Sequence, residues 1–268
     1  MSLPVELTSV LLILAFVASL AVWGYSLHCW SRGRSPVAWR PREVVTWSGQ
    51  EVVVGALVFF ALPFVVVQVL PATVAETPRT LAASVVANGL MLLLLPAFLT
   101  AFSASRWSDL GLPRNGIRRD VLYGLAALLA AVLPVSAVQF VVRKYVAAED
   151  QVHTIVKLLQ QDSTSAMWLL AFVSAVVLAP LSEELLFRVV LQGWLEKTVS
   201  ASGAIAVSSA TFAAVHFGSW PDPLPLFPLA VVLGYTYYRR HSLVPCAVLH
   251  AAFNALNLLV LWLSPDAG

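Results

Sequence analysis

The sequence predicts an all-α protein, a polytopic membrane helix bundle of about eight transmembrane helices with the candidate active site inside the bundle. Of its 268 residues, 59% are hydrophobic and 11% are charged, whereas soluble domains have about 25% charged residues. The mean hydropathy is +0.84. Eight stretches lack Asp, Glu, Lys and Arg, and about 20 apolar residues are enough for a helix to cross the hydrocarbon core.

The eight stretches predict one membrane span each. The first is expected to be a retained span at residues 8–29, because no basic residue precedes its long apolar run, as a cleaved signal peptide would require. The seventh is the weakest, since four prolines near its start predict a helix that begins late or enters bent. The stretches are Leu7–Ser31, Val52–Ala75, Thr80–Ser105, Val121–Val142, Ser163–Ser182, Thr198–Pro221, Pro223–Tyr238 and Ser242–Pro265.

Basic residues are distributed unevenly between the two sides of the predicted bundle. The positive-inside rule places the richer side in the cytoplasm, with both termini outside. The four on the poorer side are Arg79, Arg143, Lys144 and Lys157. The eleven on the richer side are Arg32, Arg34, Arg40, Arg42, Arg106, Arg114, Arg118, Arg119, Lys197, Arg239 and Arg240.

The chain is expected to divide into three parts. Residues 1–105 form a scaffold of three spans without intramembrane charge, and residues 106–119 form a polar, basic cytoplasmic linker rich in turn residues. Residues 120–268 form the transmembrane domain that carries any chemistry. The net charge of +2 comes from no dense basic run, so nothing indicates a nucleic-acid partner.

Glu183, Glu184 and Arg188 lie inside the apolar segment of about residues 166–195. Each ionised side chain in the centre of a membrane helix costs roughly 2.5 to 3.5 kcal/mol, so such a cluster predicts a functional site. Residues four apart lie on one face of a helix, and three predicted helices each carry such a pair. The pairs are Glu184 with Arg188, Phe212 with His216, and His250 with Asn254.

The depths of these residues predict that they meet in one cavity. With a rise of about 1.5 Å per residue, Glu183 lies roughly 18 Å from a helix end near Leu195, and His250 roughly 12 Å from an end near Ser242. His216 lies roughly 21 Å from an end near Ser202. The three helices can therefore build a site in the interior of the bundle, as helix bundles commonly do.

Structural roles are the alternative for each residue alone. A single His216, His250 or Asn254 could be an interhelical hydrogen-bonding contact. Glu184 and Arg188 could form a structural ion pair. Cys246 lies four residues before His250, which permits a thiol next to an imidazole, although a free cysteine is more often a small buried apolar residue. The joint occurrence of the acidic pair, the arginine, the two histidines and the asparagine favours a functional site, because Glu183 has no obvious partner.

The motifs EELLFR at 183–188, FAAVH at 212–216 and HAAFN at 250–254 resemble those of the CAAX protease and bacteriocin-processing family, which includes the type II CAAX prenyl endopeptidases. The family pattern is EExxxR, FxxxH and HxxxN, and the resemblance covers roughly residues 120–263. It implies that residues 120–268 are a catalytic domain. It also implies a multi-pass protein of a bacterial plasma membrane.

The resemblance implies an intramembrane endopeptidase of the glutamic type. Glu183 would activate water with the help of His216, and His250 and Asn254 would stabilise the oxyanion. Glu184, Arg188 and Phe212 would support the site. The partners implied are the lipid bilayer and a membrane-associated protein or peptide substrate, prenylated or not.

Two alternatives remain open at this stage. Glu183, His216 and His250 could instead hold Zn²⁺ with a water as fourth ligand. No HExxH pair occurs, and Asn254 beside His250 suits an oxyanion better, so the expectation is that no cofactor is needed. The protein could also be a non-catalytic scaffold, a regulator or a transporter, although a transporter often has two repeated halves, which are not visible here.

Overall fold

The computed structural model describes residues 5–41, 44–73, 75–112, 115–146, 158–159 and 164–263. Within these ranges the chain is all-helical without a strand, and it contains eight helices of 14 residues or more. The predicted helix bundle is therefore confirmed. The helices are α1 Val5–Ser31, α2 Gly49–Val69, α3 Glu76–Phe102, α4 Ile117–Tyr145, α5 Ser165–Leu195, α6 Ala201–Ala214, α7 Pro223–Arg240 and α8 Leu243–Leu263.

Six of these helices, all except α6 and α7, are long and apolar enough to cross a membrane. Helix α6 has only 14 residues, and α7 has 18 residues and ends with Arg239 and Arg240. The prolines do not delay α7, which begins at Pro223. Proline is compatible with the first turn of a helix, where backbone N–H groups have no intrahelical acceptor. The protein is a multi-pass integral membrane protein.

Helix α5 is long and irregular. Its α-helical parts, Ser165–Phe172, Ala179–Glu184 and Gly193–Leu195, are separated by two π-helical parts, Val173–Leu178 and Leu185–Gln192. A π-helical turn has one residue more than an α-helical turn and often lies at a functional site. Both wide turns lie directly beside the short α-helical part that contains the two glutamates.

Helix α5 lies at the centre of the bundle, where α2, α3, α6, α7 and α8 contact it. The largest apolar core surrounds it and includes the fully buried side chains of Phe212 and Leu233. Helix α4 packs against α7 and α8, and α1 packs mainly against α4. The charged residues of α5 are therefore enclosed by other helices rather than by lipid.

The segment between α1 and α2 is attached to the end of the bundle that carries most basic residues. Arg40 donates a backbone hydrogen bond to the Arg239 carbonyl at 2.9 Å. The Lys197 ammonium donates to the carbonyls of Val45 at 3.0 Å and Trp47 at 2.8 Å. This loop therefore connects the predicted N-terminal scaffold to the ends of α5 and α7.

A buried ion cluster, the Asp120 cluster, lies beneath that loop and consists of Asp120, Arg40 and Arg240. The Asp120 side chain is fully buried, and one carboxylate oxygen lies 2.7 Å from Arg40 Nη1. Its other oxygen lies 2.9 Å from both Nε and Nη2 of Arg240. In the sequence, Arg40 and Arg240 served only to predict the orientation of the protein in the membrane. No sequence pattern indicated Asp120.

The predicted linker is also packed against the bundle. Gly111 has φ +75°, and a Cβ there would lie 2.9 Å from the Leu243 backbone nitrogen. That nitrogen donates to the Gly111 carbonyl at 2.8 Å. A residue without Cβ is needed for this close approach and this backbone conformation, so the linker is attached to the start of α8.

Candidate active site

Glu184 and Arg188 form a fully buried ion pair on successive turns of α5, with Arg188 Nε 3.0 Å from Glu184 Oε2. The guanidinium Nη1 also donates to Ser208 Oγ on α6 at 3.0 Å. Its carbon lies 5.1 Å from the centre of the Phe212 ring, within the range of a cation–π contact. Nη2 has no hydrogen-bond partner among the described residues. The pair is therefore held between α5 and α6.

His250 on α8 joins this pair to the second glutamate. Its Nδ1 donates to Glu184 Oε1 at 2.9 Å, because the carboxylate of an ion pair accepts. Its Nε2 lies 3.8 Å from Glu183 Oε2, which is longer than a hydrogen bond. The Glu183 side chain is 17% exposed, whereas that of Glu184 is fully buried. Nε2 and Glu183 are therefore close enough to contact one shared water or substrate group without being bonded to each other.

Phe212 places His216 near this group. The fully buried Phe212 ring lies 4.9 Å from the His216 ring and 5.6 Å from the His250 ring, centre to centre. His216 follows the last turn of α6, and its Nδ1 donates to the Phe212 carbonyl at 2.8 Å. Since a carbonyl only accepts, this bond leaves His216 Nε2 available for another contact. The half-buried imidazole is thus oriented but not enclosed.

Asn254 lies one turn after His250 on α8. Its amide nitrogen donates to the Ala175 carbonyl in the first π-helical part of α5 at 2.8 Å. An amide group has two N–H donors, so one remains for another acceptor. Helix α8 thus contacts α5 through both of its predicted site residues, His250 and Asn254.

Three polar residues that the sequence patterns did not single out support the site. Ser208 accepts from Arg188 and donates to the Phe187 carbonyl at 2.8 Å. Ser182, next to Glu183, donates to the Asn88 side chain on α3. Ser208 lies four residues before Phe212, so the spacing rule that selected Phe212 and His216 would also have found it. Asn88 had no such signal.

The Zn²⁺ alternative requires Glu183, His216 and His250 around one ion. Among the residues that the structure describes, no three His, Cys, Asp or Glu side chains are arranged to hold a metal ion. One imidazole nitrogen of each histidine is already bonded within the protein. These bonds use Nδ1 of both rings, and Nε2 of both is left out of them.

Cys246 has a structural environment. It is fully buried, and its thiol donates to the Leu233 carbonyl on α7 at 3.5 Å. Cys29 is likewise a free, buried thiol. The Cys246 thiol therefore has a partner other than the imidazole of His250, four residues later.

Residues 165–256 match the family model described as type II CAAX prenyl endopeptidase Rce1-like. All seven residues of the three motifs lie inside this match. The resemblance to the CAAX protease and bacteriocin-processing family is therefore confirmed for this part of the chain, which supports a peptidase-type membrane protein.

Three curated relatives from Lactococcus lactis subsp. lactis (strain IL1403) are similar to part of the chain. UPF0177 protein YaiF is 38% identical over 89 residues, which are 32% of this chain and 38% of the relative. UPF0177 protein YxdF is 35% identical over 29% of this chain and 42% of the relative. UPF0177 protein YaiH is 34% identical over 32% of this chain and 35% of the relative. The matches thus span less than half of these relatives, and no solved structure matches.

Proposed function

We propose that this chain, whose residues 165–256 are Rce1-like, is an intramembrane endopeptidase of the glutamic type. One observation carries the proposal. The partly exposed Glu183 lies 3.8 Å from an imidazole nitrogen whose other side is fixed by a buried carboxylate. A water-activating group next to an oriented donor is the arrangement that peptide hydrolysis requires.

In the proposed reaction, Glu183 takes a proton from a water molecule, and the hydroxide oxygen attacks the carbonyl carbon of the scissile peptide bond. His216 Nε2 holds that water, since Nδ1 of the same ring is bonded to the Phe212 carbonyl. The C–N bond then breaks, and the proton held by Glu183 passes to the leaving amine. One carboxylate therefore acts first as base and then as acid.

His250 and Asn254 stabilise the tetrahedral oxyanion in this proposal. The Asn254 amide retains one N–H after its bond to Ala175. His250 acts as a donor through Nε2, and the Glu184 carboxylate on Nδ1 stabilises the positive charge that this requires. Donors that are fixed before the reaction and directed at developing charge commonly contribute more to acyl-transfer catalysis than any other effect.

Glu184, Arg188 and Phe212 act on the reaction through His250 rather than by touching the substrate. The Arg188 guanidinium compensates the charge of Glu184, so that this glutamate remains a carboxylate acceptor for His250. The proposal requires no metal. The substrate is a membrane-associated protein or peptide, and the domain that acts on it is residues 120–268.

The proposal is tested with purified protein in lipid nanodiscs and a defined mixture of peptides, with cleavage followed by mass spectrometry. Glu183→Gln should reduce cleavage by about 10²-fold or more, because the base is lost while the size of the side chain is kept. Glu76→Gln is the matched control, since Glu76 is an exposed glutamate in the first turn of α3. Equal cleavage by wild type and Glu183→Gln would overturn the role of Glu183 as the base, whereas no cleavage by either favours the scaffold or transporter alternative.

A further inference from the structure

A large apolar groove lies between α1, α4, α6 and α7. Its volume is about 850 Å³, within the range of roughly 300 to 1,000 Å³ for ligand sites. Helix α4 forms the floor, α1 forms one wall, and α6 and α7 form the other. None of the seven residues of the three motifs lines it.

The length of the groove corresponds to one leaflet of a bilayer. The lining residues of α4 begin at Arg119 and end at Ala130, on one face of the helix. Eleven residues at about 1.5 Å each give roughly 16 Å, about half of the 30 Å hydrocarbon thickness. The groove starts at the end of α4 that carries the basic loops and stops near the middle of the membrane.

The end of the groove near the basic loops has the composition of a membrane interface. Trp30 on α1 contacts Tyr235 on α7 edge to face, with ring centres 6.3 Å apart, and Trp23 contacts Trp30 at 6.2 Å. The Tyr235 hydroxyl is hydrogen-bonded to Ser35 at 2.8 Å. Tryptophan and tyrosine are enriched where lipid headgroups meet the hydrocarbon, so the Trp30 and Tyr235 rings mark the headgroup level.

The charge at this end is positive. Arg119 is exposed, and it is the one charged residue among those that line the groove. The adjoining segment 30–37, which supplies Trp30 and Val37 to the lining, contains Arg32 and Arg34 and no acid. Asp120, next to Arg119 in sequence, is buried and already bonded to Arg40 and Arg240. No carboxylate of the lining therefore competes for Arg119.

We propose that this groove binds an anionic phospholipid, with one acyl chain between α1 and α7 and the phosphate at Arg119. Basic pockets between membrane helices on the cytoplasmic side are the sites that bind such headgroups. The depth of one leaflet fits a lipid of that leaflet, and the cation at the headgroup level selects for negative charge. The site does not depend on the proposed peptidase activity, because it shares no residue with that site.

The test is native mass spectrometry of the purified protein after exchange into phosphatidylglycerol or phosphatidylcholine of the same acyl chains. Wild type should retain one phosphatidylglycerol in preference to phosphatidylcholine. Arg119→Gln should reduce that retention about tenfold, because a charge-assisted contact to phosphate is lost. Arg143→Gln is the matched control, since this exposed arginine lies at the other end of α4.

Two further variants fill the groove itself. Ala126→Phe and Ala206→Phe place a ring in the groove, since both alanines are exposed on its lining, and both lipids should then be lost at an unchanged melting temperature. The proposal fails if both lipids are retained equally, if Arg119→Gln retains phosphatidylglycerol like wild type, or if the filled variants keep it. It also fails if a lipidated peptide displaces phosphatidylglycerol from wild type, because the groove would then serve a substrate anchor.

Discussion

Among the residues that the structure describes, Asp120 and Glu184 have fully buried carboxylates, and they are bonded to arginines in different ways. Asp120 accepts from Arg40 and Arg240, which come from a loop and from α7, while Asp120 itself is on α4. Glu184 accepts from Arg188 on its own helix and from His250 on α8. Both clusters therefore link distant parts of the chain, and both keep a buried charge compensated.

The two clusters differ in whether polar groups remain without a hydrogen-bond partner. Both oxygens of Asp120 are occupied by guanidinium groups, and the remaining Arg240 nitrogen, Nη1, donates to the Ala38 carbonyl at 3.0 Å. Around Glu184, by contrast, Arg188 Nη2 has no partner among the described residues. The neighbouring Glu183 is partly exposed at 3.8 Å from His250. A cluster whose polar groups are all bonded stabilises the fold. A cluster with unbonded polar groups retains groups that can bind a ligand and react.

The largest expected effect on stability comes from removing Arg188. Arg188→Leu leaves the Glu184 carboxylate buried without its compensating charge, which should lower the free energy of unfolding by about 3 to 5 kcal/mol. The double variant Glu184→Gln with Arg188→Leu should recover most of this loss without recovering peptide cleavage. Melting temperatures in detergent give the comparison, and an Arg188→Leu protein as stable as wild type would show that Arg188 is not compensating Glu184.

Removing Asp120 should have a smaller effect on stability and none on chemistry. Asp120→Asn leaves two guanidinium groups without their carboxylate, but the Arg40 side chain is 23% exposed and can be hydrated. The expected loss is about 3 kcal/mol, at the lower end of the range for a broken buried pair. Cleavage per folded molecule should equal that of wild type. A loss of cleavage in a fully folded Asp120→Asn protein would contradict the distinction between the two clusters.

Removing His250 should affect both properties. His250→Ala deletes a hydrogen bond to a charged group, which contributes about 1.5 to 3 kcal/mol, while Glu184 keeps Arg188. The loss of an oxyanion donor should reduce turnover by about 10²-fold. Cleavage rates and melting temperatures measured on the same preparation test this. Unchanged turnover would remove His250 from the reaction and leave it a structural role.

The smallest expected effect concerns the contact between α3 and α5 beside Glu183. Ser182→Ala removes the hydrogen bond to Asn88 and should lower the free energy of unfolding by about 1 kcal/mol. Ser209→Ala is the matched control on α6, because the Ser209 hydroxyl is buried without a partner among the described residues. Chemical denaturation in mixed micelles measures the free energy of unfolding of both variants. An equal loss for both would mean that the bond to Asn88 contributes nothing to stability.

Sequence patterns were sufficient for the parts of the structure that depend on local repetition. Runs without charge predicted the eight helices, and the four-residue spacing predicted which side chains share a face. His250 and Glu184 meet because α8 packs on α5, and the similar depths of Glu183 and His250 had indicated this. The charge-free stretch of the fifth span stops at Ser182, but the apolar segment of about residues 166–195 predicted a helix end near Leu195, and the helix ends there.

Other features depend on partners that are far apart in the chain and have no local pattern. Asp120 lies 80 residues from Arg40 and 120 residues from Arg240, so neither bond could be inferred from spacing. Asn88 is a single amide in an apolar run, and its bond to Ser182 depends on how α3 packs. The π-helical parts of α5 contain no proline or glycine, but Pro180 follows the first closely and Gly193 follows the second directly, and the sequence predictions did not use either residue.

The position of an insertion or deletion in α5, in the first or in the second π-helical part, decides which contacts of the helix it disturbs. An α-helix turns about 100° per residue, so deleting one residue before Ala175 would rotate the preceding turns and leave both the Ala175 carbonyl that accepts from Asn254 and the following motif in place. The same deletion between Arg188 and Gln192 would instead rotate Gln192 away from the Gly234 carbonyl, to which it donates at 2.9 Å. Length variation among homologous chains is therefore expected before Ala175 and not after it.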